Sequence, residues 1–263
     1  MNFFFYFCIG SDIRYSSDKT LDYIYYSILG GELHTKIRLK PLLNFFSTKK
    51  LQKNPKILEL GCGFGINAFE IAKIDRGFEY DGFDLSEDAI AQGRKILQKK
   101  SLQKSIRLFC ADATKYDFQN ENKYDFVLLI DFLEHVVDPK EILSELRKLT
   151  HDKTIFLVSV PTKNYKKYFG DDFHRRVGHV HDGYSLSDLD KLFAGIEYES
   201  TFHEYSAGFP VNYVCSLYYK HNFENRYLNF LKNSLLGRLN FLDFLNDEKH
   251  GCSLFSVYES KSN

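Results

Sequence analysis

Two carboxylates and a histidine stand close together after the fourth apolar run of the chain. Asp131, Glu134 and His135 occupy positions i, i+3 and i+4, a spacing that puts all three side chains on one face of a helical turn. His181, in a later His-Val-His run, is the expected fourth member of this cluster. His179 is the weaker candidate, because alternation along the run turns only one of the two histidines inward.

Three roles remain open for this cluster. Carboxylate oxygens suit a hard ion such as Mg²⁺, and imidazoles shift the preference toward Mn²⁺ or a later metal. Without a metal, His135 or His181 would act as a general base near neutral pH. In the third interpretation, Glu134 and His135 only cap the helical turn and bond to the following loop.

A glycine-rich turn follows the first apolar run, where residues 57–65 read ILELGCGFG. Glu59 precedes three alternating glycines, Gly61, Gly63 and Gly65, and a helical pattern begins behind them. Glycine lets the backbone turn sharply and approach a ligand closely, and a helix N-terminus offers N–H donors to it. The spacing is GxGxG rather than the GxGxxG of dinucleotide-binding folds. A plain tight turn is the alternative.

Acids also follow the next two apolar runs. Asp84, 23 residues after Gly61, can accept both hydroxyls of a ribose, although capping the next helix beside Ser86 is an alternative. Asp112 can accept a hydrogen bond from an adenine amino group. Ligands bind at the carboxyl edge of open α/β sheets, so these acids and the cluster predict a site at that edge.

The elements that position these residues alternate between short apolar strands and amphipathic helices. We predict strands at 56–60, 79–83, 105–110, 124–130 and 154–160, and helices at 65–74, 86–100 and 138–149. A helix near 185–194, a strand near 196–205 and a last strand near 252–259 follow. This alternation predicts an α/β fold whose parallel sheet is covered on both faces.

The runs ILELGCGFG, GFDLS, ADAT and DFLEHVVDP together resemble class I S-adenosylmethionine-dependent methyltransferases, and more narrowly the branch of the ubiquinone-biosynthesis O-methyltransferases. The resemblance covers roughly residues 55–205 and the final strand. It implies a Rossmann-like, seven-stranded sheet with an antiparallel last strand, and S-adenosylmethionine as the cofactor. Strands 196–205 and 252–259 would then form a hairpin whose tip is the insertion 207–250.

The resemblance also implies individual site roles. Glu59 and the three glycines would shape the methionine pocket, Asp84 would bind the ribose and Asp112 the adenine amino group. Three apolar residues would line the cofactor, namely Leu85, Ala113 and Ile130, with core packing as the alternative for the first two. Similar acids and histidines surround a magnesium-type ion in this branch and in terminal-ribose RNA enzymes. The implied metal ligands are Asp131, Glu134, His135 and His181, around Mg or Mn.

Composition excludes several classes of protein. Lysine plus arginine and aspartate plus glutamate both number 35, and 44% of residues are hydrophobic, which is an ordinary globular balance. The zero net charge makes a nucleic-acid partner unlikely. Five cysteines without a CxxC pair predict reduced thiols and a cytoplasmic protein. The apolar start has no basic residues or cleavage site, so we expect a buried strand there rather than a signal peptide.

We predict two regions, an N-terminal helical cap at 1–52 and the methyltransferase domain at 53–263. Apolar spacing predicts two helices in the cap, broken near Gly30 and Gly31. Residues 161–184 read as a polar loop, whose His174–Arg176 run is a candidate for binding an acidic group. The insertion 207–250 carries an amphipathic helical pattern from Phe223 to Leu242. We interpret it as a lid on the acceptor pocket, with a dimer surface or peripheral membrane contact as alternatives.

The predicted activity is O-methylation of a small molecule, a glycan sugar or a lipid-like quinone precursor. An RNA ribose methyltransferase is a second possibility, which the zero net charge weakens. A non-catalytic S-adenosylmethionine-binding regulator is a third, which the intact Glu134 and His135 pair disfavours. The sequence does not identify the acceptor or the oligomeric state.

Overall fold

The computed structural model describes residues 33–49, 51–115, 123–220 and 243–261. Three predictions lie outside these residues: the apolar N-terminal strand, the first cap helix with its glycine break, and the helical pattern from Phe223 to Leu242. In the described part of the chain, no helix is long and apolar enough to cross a membrane.

A seven-stranded sheet forms the centre of the molecule, with strand order β3-β2-β1-β4-β5-β7-β6. The strands are β1 (Lys56–Leu60), β2 (Glu79–Asp84), β3 (Ile106–Cys110), β4 (Tyr124–Ile130), β5 (Thr150–Pro161), β6 (Tyr198–Ser206) and β7 (Ser253–Ser260). β7 runs antiparallel to both of its neighbours, and the pairs from β3 to β5 are parallel. The predicted Rossmann-like class I sheet is therefore confirmed.

Seven α-helices and one 3₁₀ turn connect the described strands. The helices are α1 (Leu33–Thr48), α2 (Ile66–Ile74), α3 (Glu87–Lys100), α4 (Pro139–Arg147), α5 (Tyr165–Val177), α6 (Leu186–Ala194) and α7 (Phe209–Lys220), and the 3₁₀ turn is Leu133–His135. Short polar side chains cap several of them. Asp138 accepts from two backbone amides of α4, and Ser185 forms a capping box with Asp188 at the start of α6.

Alternate residues of the central strands enter two separate cores, one on each face of the sheet. On β4, Phe126 and Leu128 belong to the core shared with α1, α2 and α3. Val127 and Leu129 belong to the core under α4 and α6. α1 covers the first face, where Phe46 packs edge-on against Phe126 at 5.4 Å between ring centroids. The sequences of the central strands are therefore almost continuously apolar, because each of these strands is buried on both faces.

The predicted loop at 161–184 is wrong in part, because α5 occupies residues 165–177. Gly170 interrupts this helix with φ 79° and ψ 173°, so neither half shows a long helical period. Only Tyr165 and Val177 are buried among its residues. A short, kinked and mostly polar helix lacks the apolar stripe by which helices are recognised.

The last two strands form the predicted hairpin, with β6 paired antiparallel to β7. α7 begins the segment that joins them. A third, smaller apolar cluster connects Ile37 of α1, Tyr165 of α5 and Val211 of α7 with Cys252. Because Ser253 pairs with Pro161 at the end of β5, this cluster lies beside the carboxyl edge of the sheet.

Candidate active site

The glycine-rich turn follows β1 beside β4, at the point where the strand order reverses. Gly61, Gly63 and Gly65 all have positive φ, at 75°, 56° and 87°, a region that favours glycine. A Cβ on Gly61 would lie 3.0 Å from a ring carbon of Phe132. The turn is held to β2, since the amides of Gly61 and Cys62 both donate to the carbonyl of Phe83. The sequence therefore needs glycine here for both conformation and space.

Asp84 stands at the end of β2 and is joined directly to this turn. Its Oδ2 accepts from the amide of Gly63 at 2.8 Å, and its Oδ1 accepts from the amide of Ser86 at 2.8 Å. Ser86, not Asp84, caps α3, which removes the simpler explanation for the acid. Burial raises the pKa of Asp84, and the bonds from Ser86 and Gly63 oppose that rise.

The other cofactor candidates differ in exposure. Leu85 is 47% exposed, so it is not a core residue and its side chain is available to a ligand. Ala113 and Ile130 are buried and belong to the two cores. Asp112 is engaged locally, where its Oδ1 accepts from the hydroxyl of Thr114 at 2.6 Å.

Glu59 is fully buried and lies beneath the glycine-rich turn. Its carboxylate accepts from Asn67 of α2 and from the hydroxyl of Tyr80 on β2. Burial raises its pKa to about 7, against the bonds from Tyr80 and Asn67. The side chain thus ties three elements together beneath the glycines.

Asp131 follows β4 in a strained conformation, with φ at 53°. Its amide donates to the carbonyl of Ser159 on β5 at 2.8 Å. Its carboxylate forms an ion pair with Arg38 of α1, and both side chains are buried. Positive φ in a non-glycine residue is typical of functional sites. The Asp131 carboxylate therefore pairs with α1, and it does not join Glu134 and His135 in one cluster as predicted.

Glu134 is the most unusual side chain of the site. It is fully buried, and among the described residues neither carboxylate oxygen has a hydrogen-bond partner. The Nε2 of His179 lies 4.0 Å from its Oε1, and the rings of His135 and His179 are 4.9 Å apart. One ligand atom from each of these three residues lies within 4.8 Å of the others. We call Glu134, His135 and His179 the Glu-His-His cluster.

The histidine that lies beside Glu134 and His135 is His179, whereas the sequence predicted His181. The loop after α5 docks on the 3₁₀ turn, because the amides of Val180 and His181 both donate to the carbonyl of Glu134. His181 then directs its Nε2 to the carbonyl of Val136 at 2.8 Å, away from the cluster. Side chains alternate in direction only along an extended strand. Here two successive loop amides bond to the same carbonyl, so the loop is not extended and the alternation does not apply.

Electrostatics in the cluster favour neutral groups. Burial raises the pKa of Glu134, and the electrostatic effects of His135 and Arg38 oppose this rise. Burial, with help from His135, His174 and Arg38, lowers the pKa of His179 to about 2. His179 is therefore a neutral imidazole at physiological pH, which suits a metal ligand better than a general base.

Sequence reasoning missed Arg38 and undervalued His179. A single arginine between Ile37 and Leu39, inside an apolar helical stripe, was the available signal for a buried charge. For His179 no local signal existed, because its direction depends on contacts with a turn more than 40 residues earlier.

Comparison with known proteins agrees with this geometry. A family profile described as a methyltransferase domain matches residues 32–228. A ubiquinone biosynthesis O-methyltransferase of Hydrogenovibrio crunogenus is 30% identical over 139 residues, which are 52% of this chain and 56% of that protein. N-methyltransferase 4 of Papaver somniferum is 29% identical over 126 residues, which are 46% of this chain and 34% of that protein. These alignments cover only a third to a little over half of the relatives' own lengths.

Among solved structures, phosphoethanolamine N-methyltransferase 2 of Haemonchus contortus, in complex with S-adenosyl-L-methionine, superposes with a TM-score of 0.62. The match has 14% identity and covers 95% of this chain and 59% of that one, so it speaks for the fold alone. The chain belongs to the methyltransferase domain family. Its fold is that of the class I methyltransferases, and about half of the chain is similar to ubiquinone biosynthesis O-methyltransferases.

Proposed function

We propose that this chain transfers the methyl group of S-adenosylmethionine to a hydroxyl oxygen of a small acceptor. The observation that carries the proposal is Glu134, a fully buried carboxylate without hydrogen-bond partners among the described residues. Burying an unsatisfied carboxylate is costly, so such a group is typical of a site completed by a ligand. It lies beside two imidazoles at the carboxyl edge of β4, close to the glycine-rich turn.

The residues around that turn fit the cofactor. Positive φ at Gly61, Gly63 and Gly65 makes the sharp backbone turn at the carboxyl end of β1, and the Asp84 carboxylate retains lone pairs for the ribose hydroxyls. Exposed Leu85 offers an apolar surface to the adenine. The bound cofactor would supply an electrophilic sulfonium methyl group. The task of the chain is then to hold the acceptor oxygen in line with it, which is worth about 7–11 kcal/mol when well achieved.

The Glu-His-His cluster also fits a divalent cation. One carboxylate and two imidazoles favour Mn²⁺ or a later metal over Mg²⁺, and a neutral His179 presents a lone pair without losing a proton first. Glu134, His135 and His179 would hold the ion, which would lower the pKa of the acceptor hydroxyl. Without an ion, Glu134 is a candidate proton acceptor, because burial raises its pKa.

We further propose that α1, α5 and α7 bound the acceptor pocket. They meet in the small apolar cluster around Tyr165 beside the carboxyl edge, and Arg38 carries a positive charge from α1 into that region. Apolar and aromatic walls suit a phenolic or lipid-like acceptor more than a polyanionic RNA. The named relatives include both O- and N-methyltransferases, so the accepting atom has to be measured.

The test is methyl transfer from isotope-labelled S-adenosylmethionine to a panel of dihydroxybenzoates, catechols and ethanolamines, with product analysis by mass spectrometry. We expect O-methylated products, a loss of turnover after chelation and its return with Mn²⁺. Glu134→Gln should lower kcat by at least 100-fold while cofactor affinity is retained. Glu199→Gln, an exposed position on β6, is the matched control.

The outcomes separate the interpretations. Products methylated only at nitrogen would overturn the O-methyl assignment. Turnover that resists chelation but is lost in Glu134→Gln would reject the metal and retain a base. Cofactor binding without any product from the panel or from a metabolite extract would favour a regulator.

A further inference from the structure

Two side chains of the loop after α5 donate hydrogen bonds to the backbone of the 3₁₀ turn Leu133–His135. The hydroxyl of Tyr184 donates to the carbonyl of Leu133 at 3.1 Å. The Nε2 of His181 lies 2.8 Å from the carbonyl of Val136, which directly follows the turn. Because a carbonyl can only accept, this nitrogen carries the proton and is the donor. The turn is therefore bonded at both of its ends to side chains of the same loop.

The loop that supplies these donors is itself fixed to the end of β5. The amide of Tyr184 donates to the carbonyl of Pro161 at 2.9 Å. Gly183 has φ at 100°, and a Cβ there would lie 2.6 Å from the carbonyl atoms of Thr162, so the position needs glycine. The Tyr184 ring is buried in the core under α4 and α6. A loop anchored in this way can hold the turn in one position.

The position of the turn decides where the Glu134 carboxylate lies. Neither carboxylate oxygen has a hydrogen-bond partner among the described residues, so no such bond orients the side chain. The backbone of the residue is bonded instead, because its carbonyl accepts from the amides of Val180 and His181 at 2.9 and 3.3 Å. The direction of the carboxylate thus depends on the packing around it and on the backbone that the loop holds.

We propose that His181 and Tyr184 are positioning residues, which hold the 3₁₀ turn so that Glu134 and His135 face His179. The inference rests on the proposed role of the Glu-His-His cluster. It gives His181 a role other than metal ligand or general base, because its Nε2 is bonded to a carbonyl and the residue lies outside the cluster. A displacement of about 1 Å in a catalytic site can cost about 100-fold in rate, even when the mutation is remote.

The first test separates a hydrogen-bond donor from a base or ligand at position 181. His181→Leu removes the donor, whereas His181→Gln keeps an N–H group for the carbonyl of Val136 and has no basic ring nitrogen. On the acceptor of the panel that the wild type methylates fastest, kcat should fall by about 10- to 100-fold in His181→Leu. It should recover most of its wild-type value in His181→Gln. The KM for S-adenosylmethionine should stay unchanged in both, and His203→Leu, at an exposed position on β6, is the matched control.

Tyr184→Phe tests the other end of the turn, because it keeps the buried ring and removes only the hydroxyl. It should also lower kcat without changing the KM for S-adenosylmethionine, and an unchanged kcat would exclude Tyr184 from the proposal. Equal losses in His181→Leu and His181→Gln would overturn the role of His181 as a donor. A KM for the cofactor that rises together with the loss of kcat would indicate general damage to the fold and would also contradict the proposal.

Amide hydrogen exchange on the full chain tests the same contacts without cofactor, cation or acceptor. The amide of Val136 donates within the turn, and that of Val180 donates to the Glu134 carbonyl. Both should exchange about 2- to 10-fold faster in His181→Leu, because a local hydrogen bond is lost, and at the wild-type rate in His181→Gln. The amide of Leu128, inside β4, should keep its rate because the change is local.

The exchange rates keep this inference separate from the proposed function. Unchanged exchange at Val136 and Val180 in His181→Leu would overturn the inference whatever the activity. Faster exchange with an unchanged kcat would show that the hold on the turn does not serve the reaction, which also overturns it. If the wild type methylates no acceptor, the proposed function fails, and the exchange rates still decide whether His181 holds the turn.

Discussion

At the scale of single residues, Asp84 is the clearest candidate for recognising the cofactor. Asp84→Ala should weaken S-adenosylmethionine binding by about 30- to 1000-fold, because it removes charge-assisted hydrogen bonds worth about 2–4 kcal/mol. It also releases the Gly63 amide that Asp84 holds. Calorimetric titration measures the affinity. Asp88→Ala, exposed in the first turn of the following helix, should bind normally, and equal affinity in both variants would refute the assignment.

Glu59 makes a second prediction at this scale, concerning stability and pH. Its pKa is raised by burial to about 7 in the folded protein, from 4.5 when unperturbed. The protonated acid is favoured in the folded state, so this stabilisation is fully present below pH 4.5 and is lost as the pH rises through about 7. The difference corresponds to about 3 kcal/mol.

Urea unfolding from pH 4.5 to 7.5 measures this effect as a difference between variants. The unfolding free energy of the wild type should fall relative to that of Glu59→Gln, which cannot ionise. Glu145→Gln, at a half-exposed position on α4, should run parallel to the wild type. Parallel curves for Glu59→Gln as well would mean that Glu59 keeps an ordinary pKa.

At the scale of elements, a buried ion pair between Arg38 and Asp131 connects helix α1 to the end of β4. Arg38→Met leaves the Asp131 carboxylate buried without its ion-pair partner. Asp131→Asn leaves the Arg38 guanidinium buried without a negative partner. Breaking a buried ion pair from one side costs about 3–5 kcal/mol. The double variant should cost clearly less than the two single changes together, because no isolated charge remains.

A double-mutant cycle by urea unfolding measures this coupling. Lys49→Met just after the same helix breaks an exposed pair with Glu259 and should cost at most about 1 kcal/mol. Strictly additive effects of Arg38→Met and Asp131→Asn would show that the pair does not hold the cap helix to the site.

At the scale of the whole molecule, the proposed cofactor half and the proposed acceptor half of the site come from different parts of the chain. The cofactor half comes from one continuous stretch, in which β1, β2 and β3 each end in a loop at the same edge. The proposed acceptor half is formed by α1, α5, α7 and the residue before β7, which are far apart in sequence. This explains why the family resemblance is strong around the cofactor and does not identify the acceptor.

The sequence by itself determined the sheet and its covering helices, and it located the candidate cofactor residues. Strands buried on both faces are apolar throughout, helices show a period near 3.6, and glycines mark the turn that needs positive φ. These signals are local, so Gly61, Asp84 and Ser185 could be placed without a structure. Glu134 and His135 were also found, because their spacing within one turn is local.

Only the tertiary structure decided which groups surround Glu134. His179 replaces His181 because two loop amides converge on one carbonyl of the 3₁₀ turn, and Arg38 reaches Asp131 because α1 packs over the sheet. α5 was missed because its kink and polar surface give no period. The direction of a side chain in a curled loop, and the partner of a buried charge, depend on residues distant in sequence. No local pattern encodes them, because they follow from how the remote segments pack.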